Sequence, residues 1–82
     1  MQPNLKVWPN PFQDKIQITS GEPIHRLEVY DLTGKRLLEK LIQNQNSTEL
    51  NLRGLHGPLI LRTTFKNGTS EQVVLVSQHP GY

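Results

Sequence analysis

The stretch "PLILRTTFKNGTSEQVVLV", residues 58–76, sets two apolar segments on either side of Asn67-Gly68. In the first, Leu59, Leu61, Thr63 and Phe65 fall on one face and Ile60 and Arg62 on the other, the two-residue period of a half-buried β-strand. Asn-Gly between such segments is the strongest short hairpin signal, because a type I′ turn needs positive φ at both central positions. The second segment ends in "VVLV", apolar enough to be buried on both faces. Pro58 donates no ladder hydrogen bond, so the first strand starts there or lies at an edge.

Working toward the N-terminus, the same period recurs. Ile16 and Ile18 alternate with Lys15 and Gln17; Leu27 and Val29 alternate with Arg26, Glu28 and Tyr30; Leu50 and Leu52 alternate with Glu49 and Asn51. Residues 6–8 and 36–41 complete seven candidate strands. Residues 34–45 also fit a short helix, with Leu37, Leu38, Leu41 and Ile42 on one side, but strands and turn residues surround them and a strand is favoured. "DLTG", with Asp31 first and Gly34 fourth, has type I turn chemistry, and residues 21–23, 44–46 and 54–57 supply further breaks. Short antiparallel strands with one apolar face each must meet in a two-sheet sandwich or close into a small barrel; the sandwich is the expectation.

"VWPNPF", residues 7–12, reads as a corner. Pro9 and Pro11 remove two ladder donors and bias Trp8 and Asn10 toward extended backbone. Trp8 and Phe12 are expected to pin this corner on the core, with residues 6–8 in one sheet and residues 15–19 opening the other.

Composition narrows the function classes. With 82 residues the chain is one domain with a thin core, since a domain of this size buries only about 60% of its unfolded surface. Nine Lys and Arg against seven Asp and Glu are interspersed, which leaves no nucleic-acid footprint. No apolar run approaches the roughly 20 residues a membrane span needs, so no membrane insertion is expected. Cysteine is absent, which removes disulfides and thiolate chemistry but leaves the redox compartment open. His25, His56 and His79 have no metal-ligand spacing, and Ser20, His25 and Asp31 lack the strained turn of a nucleophile. The expectation is no enzyme, no metal and no cofactor. The acceptor patterns at Asn46 and Asn67 read as turns.

Three ordered motifs carry a resemblance. "VWPNPF" is similar to an opening Y-P-N-P motif through Pro9, Asn10, Pro11 and Phe12, with Trp8 where Tyr is common. "VYDLTGK" matches V-Y-D-x-x-G-K through Val29, Tyr30, Asp31, Gly34 and Lys35, and Leu55, Gly57, Leu61 and Arg62 match a penultimate-strand motif ahead of the Asn67-Gly68 hairpin. Over residues 6–76 the chain resembles the type A C-terminal sorting domain of type IX (Por) secretion cargo in Bacteroidetes. Two departures stand out: Leu59 replaces a usual Tyr, and "VSQHPGY" lacks the basic residue that commonly ends the domain. The second departure bears on cleavage more than on fold.

The resemblance implies an all-β, Ig-like antiparallel β-sandwich of about seven strands, a single domain over residues 1–82 excised from a larger secreted protein. It implies a sorting signal that directs its parent through the periplasm and the outer-membrane type IX translocon to the cell surface or beyond, with a surface sortase as further partner. The alternative is a retained surface module that binds polysaccharide or lipopolysaccharide or mediates protein contacts; its aromatic candidates are Trp8, Tyr30 and Tyr82. Translocon recognition is assigned to Gly57, Arg62, Lys66, Asn67, Gly68, Val74, Leu75 and Val76, where a projecting turn meets an edge able to extend another sheet. The same edge leaves room for a sheet-extension dimer in crystals. Against recognition stands a last strand simply buried in the sandwich.

Overall fold

The computed structural model describes residues 4–78, in which every regular element is a strand. β1 is Lys6–Trp8, β2 Lys15–Tyr30, β3 Arg36–Asn51, β4 Leu59–Phe65 and β5 Ser70–Leu75. All strand pairings are antiparallel within one sheet. β2 is the spine: β3 follows one edge, while the other edge pairs first with β1 and then with β4, outside which β5 is added. Residues 36–45 form strand rather than helix, and β4 starts directly after Pro58.

The expected seven strands are five, because two anticipated breaks end no strand. Gly21 and Pro23 lie inside β2, and Asn44 and Asn46 inside β3. Between the pairs Thr19–Ser47 and Ile24–Gln45, β2 advances five residues against two in β3; between Ile24–Gln45 and Arg26–Leu41, β3 advances four against two. Turn chemistry therefore makes bulges here, which bend a ribbon without cutting it. Asn44 takes a φ of 54°, the left-handed region Asn tolerates well. The Asn46 side chain donates from Nδ2 to Ser20 O at 2.9 Å and ties the two bulges together.

These bulges switch side-chain parity. Ile16 and Ile18 are buried at even positions and Leu27 and Val29 at odd ones, so both halves of β2 turn their apolar face inward. β3 doubles back across the same region. Lys40 Nζ donates to Glu49 O at 2.9 Å, although nine residues of straight strand would span about 30 Å. One core results, in which Phe12, Ile16, Ile18 and Leu50 meet Leu27, Val29, Leu61 and Phe65. The alternation expected in β4 holds: Leu59, Leu61, Thr63 and Phe65 are all buried.

Four local expectations need correction. Phe12 is fully buried, but Trp8 is 45% exposed. β1 explains why: Val7 pairs opposite the buried Ile18, which puts Trp8, opposite Gln17, on the outer face. That register also makes β1 a direct neighbour of residues 17–19 rather than a strand of another sheet. The Asn67-Gly68 hairpin forms, but not as type I′. Among residues 66–68 positive φ belongs to Gly68 alone, at 91°; Gly68 N–H donates to Phe65 O and Phe65 N–H to Thr69 O, a type I turn closed by a glycine bulge. Residues 31–35 repeat the device, with Gly34 at 92° and the expected type I bond from Gly34 N–H to Asp31 O. Finally, "VVLV" is not buried on both faces, since Leu75 is inside while Val74 and Val76 are 58% and 46% exposed.

Candidate recognition surface

Residues directly opposite one another share a face, so the register orders the outer surface of β3, β2, β4 and β5 into three rows. One row is Arg36, Tyr30, Ile60 and Val74; the next Glu39, Glu28, Arg62 and Gln72; the third Leu41, Arg26, Thr64 and Ser70. At the centre is Glu28, only 5% exposed. Its Oε2 accepts the Tyr30 hydroxyl at 2.8 Å and Arg36 Nη1 at 3.3 Å, and its Oε1 lies 3.7 Å from Arg26 Nε. Glu39 links both arginines, 3.5 Å from Arg36 Nη1 and 3.9 Å from Arg26 Nη1.

The Tyr30 hydroxyl is the largest influence on Glu28 and, with Arg36 and Arg26, holds its carboxyl below the ordinary range against the opposing effect of burial. The same carboxylate pushes the Tyr30 phenol up. Lys15–Glu49 is an exposed pair of the kind that solvent screens, whereas a buried carboxylate stripped of its partners is costly. Glu28 is thus the electrostatic anchor of this face. Beside it an open depression of about 340 Å³ is bordered by Tyr30, Asp31, Leu32, Ile60 and Arg62. Asp31 keeps its carboxyl low through the Thr33 hydroxyl and then the Lys35 and Thr33 N–H groups. Gly34 and Lys35 complete that exposed turn.

The end of β5 is covered by the proline-rich corner. Phe12 N–H donates to Val76 O at 2.8 Å and Gln78 N–H to Phe12 O, a parallel bridge. One residue pair away, Asn10 Oδ1 accepts Val76 N–H and its Nδ2 donates to Val74 O, both at 2.9 Å. Residues 10–12 therefore act as a strap along the outer edge of β5. Gly57 seats the neighbouring loop: a Cβ there would meet Ser77 N at 2.7 Å and Leu75 O at 2.8 Å, and its own N–H donates to Ser77 Oγ.

The sequence-derived recognition residues divide accordingly. Arg62, Val74 and Val76 are exposed, as are Lys66, Asn67 and Gly68 in the hairpin. Leu75 is core and Gly57 is half-buried packing. Lys66 N–H donates to Pro23 O, which docks the hairpin on the β2 bulge. Pro9 and Pro11 are exposed, and Phe12 anchors the strap. The joining of Glu28 to Arg36 on β3, and the two hydrogen bonds of Asn10 to β5, escaped sequence reasoning because each depends on register between distant segments. His79 and Tyr82 lie outside the described residues. Among the described residues no group of three or more His, Cys, Asp and Glu could hold a metal ion, and no helix is long and apolar enough to cross a membrane.

The family described as "Secretion system C-terminal sorting domain" matches residues 6–77, from the first residue of β1 to the bridge residue Ser77. The chain belongs to this family. The sorting domain is thereby a type IX secretion signal of a kind found in Bacteroidetes, from a signal family rather than an enzyme family. Membership implies contact with the type IX machinery and export to the cell surface or the extracellular space. No curated protein matches the sorting domain. Its matched span and its sheet coincide, so the family signature covers the strap and the strands themselves.

Proposed function

We propose that the domain is a folded address at the end of a larger secreted protein, read by the outer-membrane type IX translocon after its parent has reached the periplasm by a separate signal. A surface sortase acts on it afterwards. The observation that carries this reading is the family match over the whole sheet. We also read the fold as Ig-like: β2 and β3, each bent at its bulges, supply two arms apiece, so that seven arms enclose one core.

A sorting signal catalyses nothing, so its information is shape and exposed groups. Recognition is assigned to the outer face around Arg62, Val74 and Val76 and to the projecting hairpin at Lys66, Asn67 and Gly68, with Leu75 and Gly57 as internal supports. Sheet extension along β5 is confined to its start, because residues 10–12 occupy the edge at Val74 and Val76.

The test is an export assay with the domain fused behind a fluorescent protein carrying a periplasmic signal, in strains with and without a working translocon. Surface or medium fluorescence only in the competent strain supports the reading, and the size of the product reports cleavage. A folded fusion trapped in the periplasm of both strains refutes it and favours a retained module.

A further inference from the structure

Trp8 stands on the outer face at the far half of the ribbon, away from Arg62. It is the exposed aromatic of an open groove of about 330 Å³, walled by Gln13, Asp14, Lys15, Gln17 and Gln78. A second hollow of about 250 Å³ shares Asp14 and Lys15 and continues to Asn51 and Arg53. Gln17, opposite Trp8 in the β1–β2 register, has its carboxamide oriented by a 2.7 Å bond from Nε2 to Glu49 Oε2.

The charges along this strip are matched. Lys15 lies 3.4 Å from Glu49 and Arg53 4.0 Å from Asp14, so two cations meet two anions. An anionic ligand would find each cation already paired. An apolar helix would find one large apolar anchor where groove-bound helices use several at i, i+3 and i+7. What remains is an aromatic surface bordered by carboxamides and balanced charges, which suits a ligand with an apolar ring face and many neutral hydroxyls.

We propose that this groove binds a neutral saccharide chain. One pyranose stacks its C–H face on Trp8 with hydroxyls toward Gln13, Gln17 and Asp14, and the chain continues toward Asn51. The site is separate from the Arg62 end of the sorting face, lying on the opposite arm of β2, and meets the Val76 end at Gln78.

The experiment records the N–H spectrum of the intact chain by heteronuclear NMR during titration with cellohexaose, maltohexaose and mannohexaose, with polygalacturonate as anionic control. At least one neutral hexasaccharide is expected to shift the Trp8 indole and the Gln13, Gln17 and Gln78 carboxamides saturably in the millimolar range. Trp8→Ala should weaken binding by about tenfold, and Trp8→Tyr, which keeps a ring, should retain most of it. Gln17→Ala serves the same purpose if Trp8→Ala does not fold. Absence of shifts with every neutral probe, shifts confined to the Arg62 face, or stronger binding of polygalacturonate each overturns the proposal. So does the finding that removing residues 79–82 shifts the groove signals while no saccharide binds either version, which would make the tail the occupant.

Discussion

Asn10 sits beside Val76 as a strand neighbour would, taking its N–H at Oδ1 while Nδ2 reaches back one repeat to Val74 O. A side chain substitutes here for the backbone ladder that Pro9 and Pro11 cannot supply.

Asn10→Ala is expected to cost about 1–2 kcal/mol from two lost hydrogen bonds. In a domain of this size that is a fall in Tm on the order of 5–15 °C. Asn10→Asp keeps the acceptor and loses the donor, so it should also be less stable than wild type, with a carboxylate now facing Val74 O. Thermal melts followed by circular dichroism decide, and a wild-type Tm for Asn10→Ala would sink the clamp.

The two ends of the corner should respond differently. Phe12→Ala empties a fully buried site and is expected to cost about 3–5 kcal/mol, enough to threaten the fold. Trp8→Ala removes a half-exposed ring and should cost about 1 kcal/mol or less. Native Trp8 fluorescence should be red-shifted toward that of water-exposed indole. Blue emission that moves red only on denaturation would contradict the placement.

Stability should fall on both sides of neutrality through one hydrogen bond. Glu28 is held below its ordinary value, so its contribution is complete above the unfolded carboxylate range and is lost as pH falls through the folded value. Asp31 and Glu49 act in the same direction. Tyr30 is raised, so its contribution is present below the unfolded phenol value near 10 and is lost as pH climbs through the folded one. Glu28→Gln should flatten the acid limb and Tyr30→Phe the alkaline limb in urea melts across pH. Unchanged limbs in both variants would rule out the pairing.

Two glycines should separate close approach from backbone freedom. Gly57→Ala drives a Cβ into the backbone at Leu75 and Ser77 and should cost about 1–3 kcal/mol. At Gly68 space is open but φ is 91°, so Gly68→Ala should cost about 1–2 kcal/mol from strain alone. Amide exchange distinguishes them, since only Gly57→Ala should expose the N–H groups of Val76 and Gln78.

Residues whose partners lie nearby in sequence, or whose face is set by simple alternation, were readable without coordinates. Leu59, Leu61, Thr63 and Phe65, the Asp31 turn and the position of the last hairpin belong to this group, as do the family motifs. The bulges were not readable. Gly21, Pro23, Asn44 and Asn46 carry turn chemistry, and whether it cuts a strand or bends it depends on whether the partner strand bends with it. Trp8 misled for a related reason: a large apolar residue suggests burial, but its face was decided by the pairing of Val7 with Ile18. The Glu28 cluster draws on β2 and β3, and no single segment announces it.

The bridge between Phe12 and Ser77 ties nearly the first described residues to nearly the last. A chain emerging from a ribosome cannot form this latch until β5 and the residues after it have been made. On the sorting reading, a parent whose synthesis stopped before Ser77 would carry an unlatched sheet, so the contact that holds the fold also reports that the whole address has been made.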